Sequence, residues 1–240
     1  MEDRRAVVTG GAGAIGAAIV RALAGAGMRV AVCARTLEAA LSVAEGAEAY
    51  AGDLADHESI DELARAIAAA GPVDVLVNCA GWGDVQPFVE TTPETWDTML
   101  AVNLRAPIQL CHAFLPPMAE RGWGRLVFIG SDAGRVGSRN EAVYAAAKGG
   151  LNAFCKSLAH EVARRGVTSN VVSPGPTETP RLTSFREANP EKFAPLLRRI
   201  PMGRVGTPED VAAVAAFLCS DGAAYVTGQV ISVNGGLHMP

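Results

Sequence analysis

The chain has 240 residues, which suits one large α/β domain and is long enough to bury a substantial core. With 49% hydrophobic residues, 19% charged residues and a formal net charge of -4, it offers no basic surface for nucleic acid. No run approaches the ~18 apolar residues that a membrane span needs, and no apolar signal region follows the N-terminus. Five scattered cysteines lack metal-ligand spacing, so we expect reduced thiols, no metal and a cytoplasmic location.

Short apolar runs alternate with longer helical stretches along the whole chain. The predicted strands are at 6–9, 29–33, 47–52, 73–78, 125–130, 168–173 and 229–233. The predicted helices are at 14–26, 37–45, 57–70, 93–104, 107–121, 142–165 and 208–219. Most strands are continuous apolar runs, which is typical of strands covered by helices on both faces. The pattern therefore predicts a single α/β domain over 1–240, a doubly wound, Rossmann-type parallel sheet of about seven strands.

One section of the chain departs from this alternation. Residues 176–203 carry five prolines and follow the predicted strand at 168–173. Ligands bind at the carboxyl ends of strands in such sheets, and long loops there are often functional. We therefore expect an irregular segment whose part at about 181–200 acts as a substrate lid.

The stretch "VVTGGAGAIG" at 7–16 follows an apolar strand and opens a helix near Ala14. Glycines at Gly10, Gly13 and Gly16 would let the backbone approach a pyrophosphate, and the helix N-terminus offers N–H groups and a positive dipole. This is the context that a dinucleotide fingerprint requires. Alone the motif is weak, because structural glycine turns are also common.

A second motif, "SDAGRVGSRNEAVYAAAKGG", carries acid–base chemistry. Tyr144 and Lys148 are four residues apart and so share one face of a helix. An unperturbed tyrosine is a poor acid–base catalyst at neutral pH, and a neighbouring ammonium favours its phenolate. Ser131 follows a predicted strand and could donate a hydrogen bond to the same substrate oxygen.

With these motifs the chain resembles the short-chain dehydrogenase/reductase family, in its short, single-domain branch. The resemblance covers nearly all of the chain and includes the glycine loop, "NCAG" at 78–81, "VN" at 102–103, the Ser-Tyr-Lys set, "SPG" at 173–175 and "VNGG" at 233–236. It implies that Tyr144 is the general acid/base, that Ser131 polarises the substrate oxygen, and that Lys148 lowers the tyrosine pKa and binds the nicotinamide ribose. Asn103 would hold the water of a proton relay.

The resemblance also implies a cofactor site. Asp53 and Leu54 would meet the adenine, and residues 78–81 would flank the adenosine ribose. The full set of cofactor residues expected is Gly10, Gly13, Ile15, Gly16, Arg35, Thr36, Asp53, Leu54, Asn78, Ala80, Gly81, Tyr144, Lys148, Pro174, Gly175, Thr177 and Thr179, of which the four from Pro174 to Thr179 would cover the nicotinamide.

Two positions depart from the family pattern. Cys79 stands where the family usually has a second asparagine, and Ala14 stands where the short branch usually has its middle glycine. The even glycine spacing matches the extended, sugar-nucleotide branch instead, but the chain has no room for the C-terminal domain of that branch. A methyl group at Ala14 is tolerable if its φ is negative at the helix start.

The end of the second strand indicates the cofactor. An acid there would bond the ribose 2'-hydroxyl and repel a 2'-phosphate, but the sequence has Ala34, Arg35 and Thr36. The Arg35 guanidinium can pair with a phosphate. We therefore expect a preference for NADP(H) over NAD(H), although Arg35 could also be a solvated loop residue.

The substrate is a small ketone or secondary alcohol whose identity the sequence leaves open. The motifs look most similar to bacterial dehydrogenases of cyclic hydroxyacyl-CoA compounds, which usually favour NAD, and to 3-oxoacyl-thioester reductases, which typically favour NADPH. Trp82, Asp132, Arg135 and Glu141 are candidate pocket residues, with core or loop roles as the alternative. The family resemblance also implies a homotetramer or homodimer.

Two other classes of function compete with this oxidoreductase. A non-catalytic NADP-binding protein would be expected to lose a member of the Ser-Tyr-Lys set, and all three are present. A nucleotide-sugar epimerase or dehydratase also uses a tyrosine and a lysine four residues apart. Turnover of the cofactor against a panel of ketones separates the three.

Overall fold

The computed structural model describes residues 3–44 and 46–239. Its strands are β1 (Arg5–Thr9), β2 (Arg29–Ala34), β3 (Glu48–Ala51), β4 (Val75–Asn78), β5 (Gly124–Ile129), β6 (Val167–Pro174) and β7 (Val230–Val233). They form one sheet in the order β3-β2-β1-β4-β5-β6-β7, with every neighbouring pair parallel. The predicted single-domain, doubly wound parallel sheet is confirmed.

Helices connect the strands and cover both faces of the sheet. They are α1 (Ala14–Gly25), α2 (Leu37–Leu41), α3 (His57–Ala69), α4 (Pro93–Leu100), α5 (Ala106–Arg121), α6 (Ala133–Val136), α7 (Ala142–Val162), α8 (Pro180–Ala188), α9 (Pro190–Arg199) and α10 (Pro208–Cys219). The helix predicted at 37–45 ends at Leu41, and position 45 lies outside the described residues.

Two apolar layers sandwich the sheet, because successive residues of each buried strand face opposite sides. Ala6 and Val8 pack in one layer with residues of α1 and α10. Val7 packs in the other with residues of α3, α5 and α7. The continuous apolar strands of the sequence therefore have the burial on both faces that their composition predicts.

The helices α4 and α5 are joined without a break. Residues Ala101–Arg105 form a π-helical turn, so the two helices predicted at 93–104 and 107–121 make one long helical segment. Asn103 lies in this turn and is fully buried. Single π-helical turns inside helices are frequent at functional sites, because the widened turn redirects side chains and backbone groups.

The proline-containing section is helical, contrary to the irregular segment expected from the sequence. It forms α8 and α9, and Pro180 and Pro190 stand at the first turns of these helices, where their missing N–H groups cost nothing. Thr179 caps α8 by accepting a hydrogen bond from the Leu182 amide at 3.3 Å. None of the helices in the described part of the chain has the length and apolar character that crossing a membrane requires.

Candidate active site

The sheet order changes direction between β1 and β4, which is where doubly wound sheets bind ligands. The loops that follow β1, β2, β3 and β4 line a cleft of about 710 Å³ at this point. The predicted cofactor residues that line it are Gly10, Gly13, Ile15, Gly16, Arg35, Asp53, Leu54, Ala80, Gly81 and Thr179.

The glycine loop turns tightly between β1 and α1, and its three glycines are not equivalent. Gly10 has a φ of +64°, and a Cβ there would lie 2.7 Å from the Cα of Ala80. A Cβ at Gly16 would overlap the Gly10 carbonyl oxygen. Gly13 has a φ of -75° and is the N-cap of α1, and Ala14 is outside the positive-φ region. The geometry thus requires glycine at Gly10 and Gly16 and tolerates the methyl group of Ala14.

The end of β2 presents a cation to the cleft. Arg35 is exposed and lines the cleft directly after Ala34. The Thr36 hydroxyl accepts a hydrogen bond from the Ala39 amide at 3.3 Å and so caps α2. The residues present fit a nucleotide with a phosphate on its adenosine ribose, because a guanidinium and no carboxylate stands at this position.

The loops after β3 and β4 form the far wall of the cleft. Asp53 accepts a hydrogen bond from the Ala55 amide at 2.9 Å and also lines the cleft, so it forms a turn as well as part of the site. Asn78 is buried at the end of β4, with its amide nitrogen 4.0 Å from the Cys111 sulfur. Within the described residues, its Oδ1 has no hydrogen-bond partner.

Tyr144 and Lys148 lie one turn apart at the start of α7, as their spacing predicts. The Lys148 ammonium is buried, donates to the Ile129 carbonyl oxygen at 2.8 Å and lies 5.7 Å from the centroid of the Tyr144 ring. Burial lowers the pKa of Lys148 to about 8. Its proton is therefore held far less tightly than that of an ordinary lysine.

Burial also raises the pKa of Tyr144, and the Ser131 hydroxyl and the Arg181 charge act in the opposite direction. The lowering that the sequence leads us to expect from Lys148 does not prevail, because the phenol is desolvated and the ammonium is held at the Ile129 carbonyl. At neutral pH the phenol is consequently protonated and able to donate a proton.

Ser131 is brought to Tyr144 by a close contact between α6 and α7. A Cβ at Gly134 would lie 2.6 Å from the carbonyl carbon of Lys148, so glycine permits this approach. The Ser131 hydroxyl accepts a hydrogen bond from the Ala133 amide at 3.2 Å and lies beside the phenol.

Asn103 holds the loop after β4 in place beside Lys148. Its Nδ2 donates to the carbonyl oxygens of Trp82, at 2.5 Å, and Met99, at 2.9 Å, and its Oδ1 accepts from the Trp82 amide at 3.3 Å. A Cβ at Gly81 would lie 3.1 Å from Asn103 Oδ1 and 3.6 Å from Lys148 Nζ. Asn103 and Lys148 therefore both lie close to Gly81.

The remaining cofactor candidates lie at the end of β6 and after it. Pro174 ends β6 opposite Val233, and Gly175 donates to the Val233 carbonyl oxygen at 3.0 Å. The Thr177 hydroxyl donates to the Gly175 carbonyl oxygen at 3.0 Å. These residues lie at the carboxyl ends of the strands, as the cleft does.

Comparison with known proteins decides the family. The family model described as enoyl-(acyl carrier protein) reductase matches residues 10–238. The chain is 43% identical to 2,3-dihydroxy-2,3-dihydro-p-cumate dehydrogenase of Pseudomonas putida, a match that covers 100% of the chain and 96% of that protein. The chain belongs to the short-chain dehydrogenase/reductase family. The matched model is named for a reductase and the matched relative is a dehydrogenase, so the chain is an oxidoreductase of this family.

Two further matches support this family membership. The chain is 38% identical to 3-oxoacyl-(acyl-carrier-protein) reductase FabG of Escherichia coli (strain K12), over 99% of the chain and 98% of that protein. A crystal structure from Beutenbergia cavernae, provisionally assigned as an NAD(P)-dependent gluconate 5-dehydrogenase, contains NADP at low occupancy. It superimposes with a TM-score of 0.94 at 42% identity, over 99% of this chain and 97% of that one.

The residues suggested for the substrate of this short-chain dehydrogenase/reductase separate into two groups. Asp132 is buried and accepts hydrogen bonds from Ser232 at 3.0 Å and Asn234 at 2.6 Å, and Arg135 donates to Ser232 at 2.7 Å. The contacts of this pair run to the C-terminal segment, so both side chains hold that segment against α6. The sequence suggests instead that Asp132 and Arg135 line the substrate pocket.

Trp82 and Glu141 lie nearer to the chemistry. Trp82 lines the cleft and is 41% exposed, so its ring is available to a ligand. Glu141 precedes α7, and its charge raises the pKa of Tyr144. Its Oε2 accepts a hydrogen bond from the Ser138 hydroxyl at 2.5 Å.

The sequence gives no indication of one further residue of this short-chain dehydrogenase/reductase. Arg181, in the first turn of α8, forms an ion pair with Glu141 at 3.1 Å and adds a positive charge beside Tyr144. The two partners are 40 residues apart in the sequence, and only the position of Arg181 within the expected lid could have drawn attention to it.

Proposed function

We propose that the chain is an NADP(H)-dependent oxidoreductase that interconverts a secondary alcohol and a ketone, with Tyr144 as the acid/base. The observation that carries the proposal is the convergence of Ser131, Tyr144, Lys148 and Asn103 beside a cleft with a glycine loop at one end. Each of these four residues matches its place in the pattern of the family.

The chain's residues can manage the proton that accompanies reduction. Bound NADPH would supply the hydride to the carbonyl carbon. The protonated phenol of Tyr144 gives its proton to the substrate oxygen, and Ser131 donates a hydrogen bond to that oxygen. Lys148, with a pKa of about 8, can return a proton to the phenol. The raised pKa of Tyr144 favours reduction at neutral pH and oxidation at alkaline pH.

Replacement of the phenol hydroxyl tests this mechanism. Tyr144→Phe should lower kcat for ketone reduction by about 10²- to 10⁴-fold, because general acid catalysis is lost. NADPH affinity, measured by fluorescence titration, should change little. Tyr225→Phe is the control, since Tyr225 is fully exposed and outside the cleft. Near-normal turnover by Tyr144→Phe would contradict this mechanism.

The preference for NADP(H) rests on Arg35. Arg35→Ala should weaken NADP⁺ binding about tenfold or more, because a charge-assisted contact with the 2'-phosphate is lost, and should leave NAD⁺ binding nearly unchanged. Calorimetric titration of both cofactors measures the two affinities. Arg65→Ala, an exposed arginine on α3, is the control. Equal NADP⁺ affinities in the Arg35→Ala and native proteins would refute the assignment.

Two narrower substrate classes remain in competition. The relationship to the acyl-carrier-protein reductase favours a 3-oxoacyl thioester, and that to the dihydrodiol dehydrogenase favours a cyclic substrate. An NAD-dependent cyclic hydroxyacyl-CoA dehydrogenase is the second candidate. A panel of cyclic ketones and 3-oxoacyl thioesters with both cofactors distinguishes them. A non-catalytic NADP-binding protein would show no turnover, and an epimerase would show no net cofactor consumption.

We also propose three properties of the whole protein. The helical segment α8–α9 is the substrate lid, because Arg181 at its start pairs with Glu141 and borders the same glycine, Gly83, as Tyr144. The protein forms a homotetramer, as the family resemblance implies. It is cytoplasmic, which accords with the free thiols of all five cysteines.

A further inference from the structure

A cation of the proposed lid lies next to Gly83, as the ring of Tyr144 does. Arg181 is the second residue of α8, and its Nη2 donates to Oε1 of Glu141 at 3.1 Å. A Cβ at Gly83 would lie 3.0 Å from Cδ2 of Tyr144 and 3.2 Å from Nη1 of Arg181. The guanidinium and the phenol ring therefore border the same glycine.

The ion pair leaves part of the guanidinium available. Among the described residues, Glu141 is the acceptor of Arg181, and it engages one of the two terminal nitrogens. The Arg181 side chain is 52% exposed, whereas that of Glu141 is 20% exposed and is also held by Ser138. A guanidinium has a planar set of five N–H groups that matches a carboxylate, so Nη1 can donate to a second anion while Nη2 donates to Glu141.

We infer that Arg181 is a specificity residue that selects ketones and alcohols bearing a carboxylate, an inference that rests on the proposed function. Nη1 of Arg181 and the Cδ2–Cε2 edge of the Tyr144 ring both border Gly83. Substrate binding also ties α8 to the catalytic face of α7.

A pair of probes that differ in one charge tests the inference. The native protein with NADPH should reduce 4-oxocyclohexanecarboxylate with a kcat/KM about tenfold above that of 4-oxocyclohexanecarboxamide, since a charge-assisted contact is made with the acid alone. R181Q should remove this difference, so that the ratio of kcat/KM for the acid to kcat/KM for the amide falls to about one, whereas an effect of the lost charge on Tyr144 changes both values alike. The preference of the native protein should weaken as salt screens the pair.

Two further variants separate charge recognition from the stability of the lid. R186Q, on the same helix, breaks an exposed ion pair with Glu178 of 3.2 Å and should behave as the native protein does. E141Q removes the competing carboxylate and should raise kcat/KM for the acid about two- to fivefold, because the Arg181 charge is less compensated. Circular dichroism checks that all three variants are folded.

The outcomes distinguish this inference from the proposed function. Equal kcat/KM values for acid and amide in the native protein, or an equal loss for both in R181Q, would overturn the role of Arg181 while the oxidoreductase activity stands. Absence of NADPH oxidation with every ketone would overturn the proposed function instead. Calorimetric titration of the two probes in the presence of NADP⁺ then decides the inference. Tighter binding of the acid that R181Q abolishes supports it, and equal binding refutes it.

Discussion

Lys148 shows how a residue proposed for catalysis can oppose folding. Its ammonium is buried with one hydrogen bond, to the Ile129 carbonyl, and burial lowers its pKa from 10.5 to about 8. A shift of this size corresponds to roughly 3 kcal/mol of lost stability at pH 7, because each pKa unit is worth about 1.4 kcal/mol. Functional sites often contain groups like Lys148, whose burial shifts their pKa and lowers the stability of the folded protein.

Replacement of this charge should stabilise the protein. Lys148→Met should raise the free energy of unfolding at pH 7 by about 1–3 kcal/mol, less than the full shift because the Ile129 carbonyl loses its donor. Below pH 8 both the folded and the unfolded protein bind the lysine proton, so the gain is complete there. Between pH 8 and 10.5 the folded protein releases it first, so native stability rises and the gain shrinks.

Urea unfolding of the two proteins at pH 7 and pH 10 measures this gain. Lys156→Met on the same helix is the control, because Lys156 is exposed and its removal should change stability by less than about 0.5 kcal/mol. A Lys148→Met protein less stable than the native one at pH 7 would contradict the prediction.

The residues of the site differ in how well the sequence reveals them. Tyr144 and Lys148 could be paired from the sequence, because their spacing of four fixes one face of one helix. Arg181 comes near Tyr144 only through the tertiary fold, so no spacing within the sequence predicts that the two residues are close. The sequence makes Asp132 a candidate pocket residue, next to Ser131. The direction of its side chain, however, depends on contacts with a C-terminal segment about 100 residues away.

At the scale of elements, strands were easier to predict than the segments that join helices. Continuous apolar runs mark buried parallel strands, and each predicted strand overlaps an observed one. Clustered prolines in 176–203 suggested irregular structure, yet a proline costs nothing at the first turn of a helix, and Pro180 and Pro190 stand there. The π-helical turn at Ala101–Arg105 has no sequence signal of its own, because its extra residue is stabilised by the contacts of Asn103 with Trp82 and Met99.

At the scale of the molecule, alternation of strand and helix predicts a parallel sheet, and the observed sheet has two edge strands, β3 and β7. An unpaired parallel edge can be covered by a second copy of the chain. Apolar side chains are exposed on both faces as well, including Ile108 of α5 at 38% and Phe217 of α10 at 48%. A tetramer with two different interfaces would cover both faces, each around its own twofold axis.

Light scattering coupled to size-exclusion chromatography tests this assembly. The native protein should have four times the mass of the chain, and Ile108→Glu and Phe217→Glu should each reduce it to twice that mass, because each places a charge in one of the two interfaces and leaves the other intact. Leu41→Glu is the matched control. Leu41 is 59% exposed on α2, near the β3 edge of the sheet and outside both proposed interfaces, so its replacement should leave the tetramer unchanged. A native protein with the mass of one chain would contradict the tetramer, and a loss of assembly in Leu41→Glu would move the interface to the β3 side.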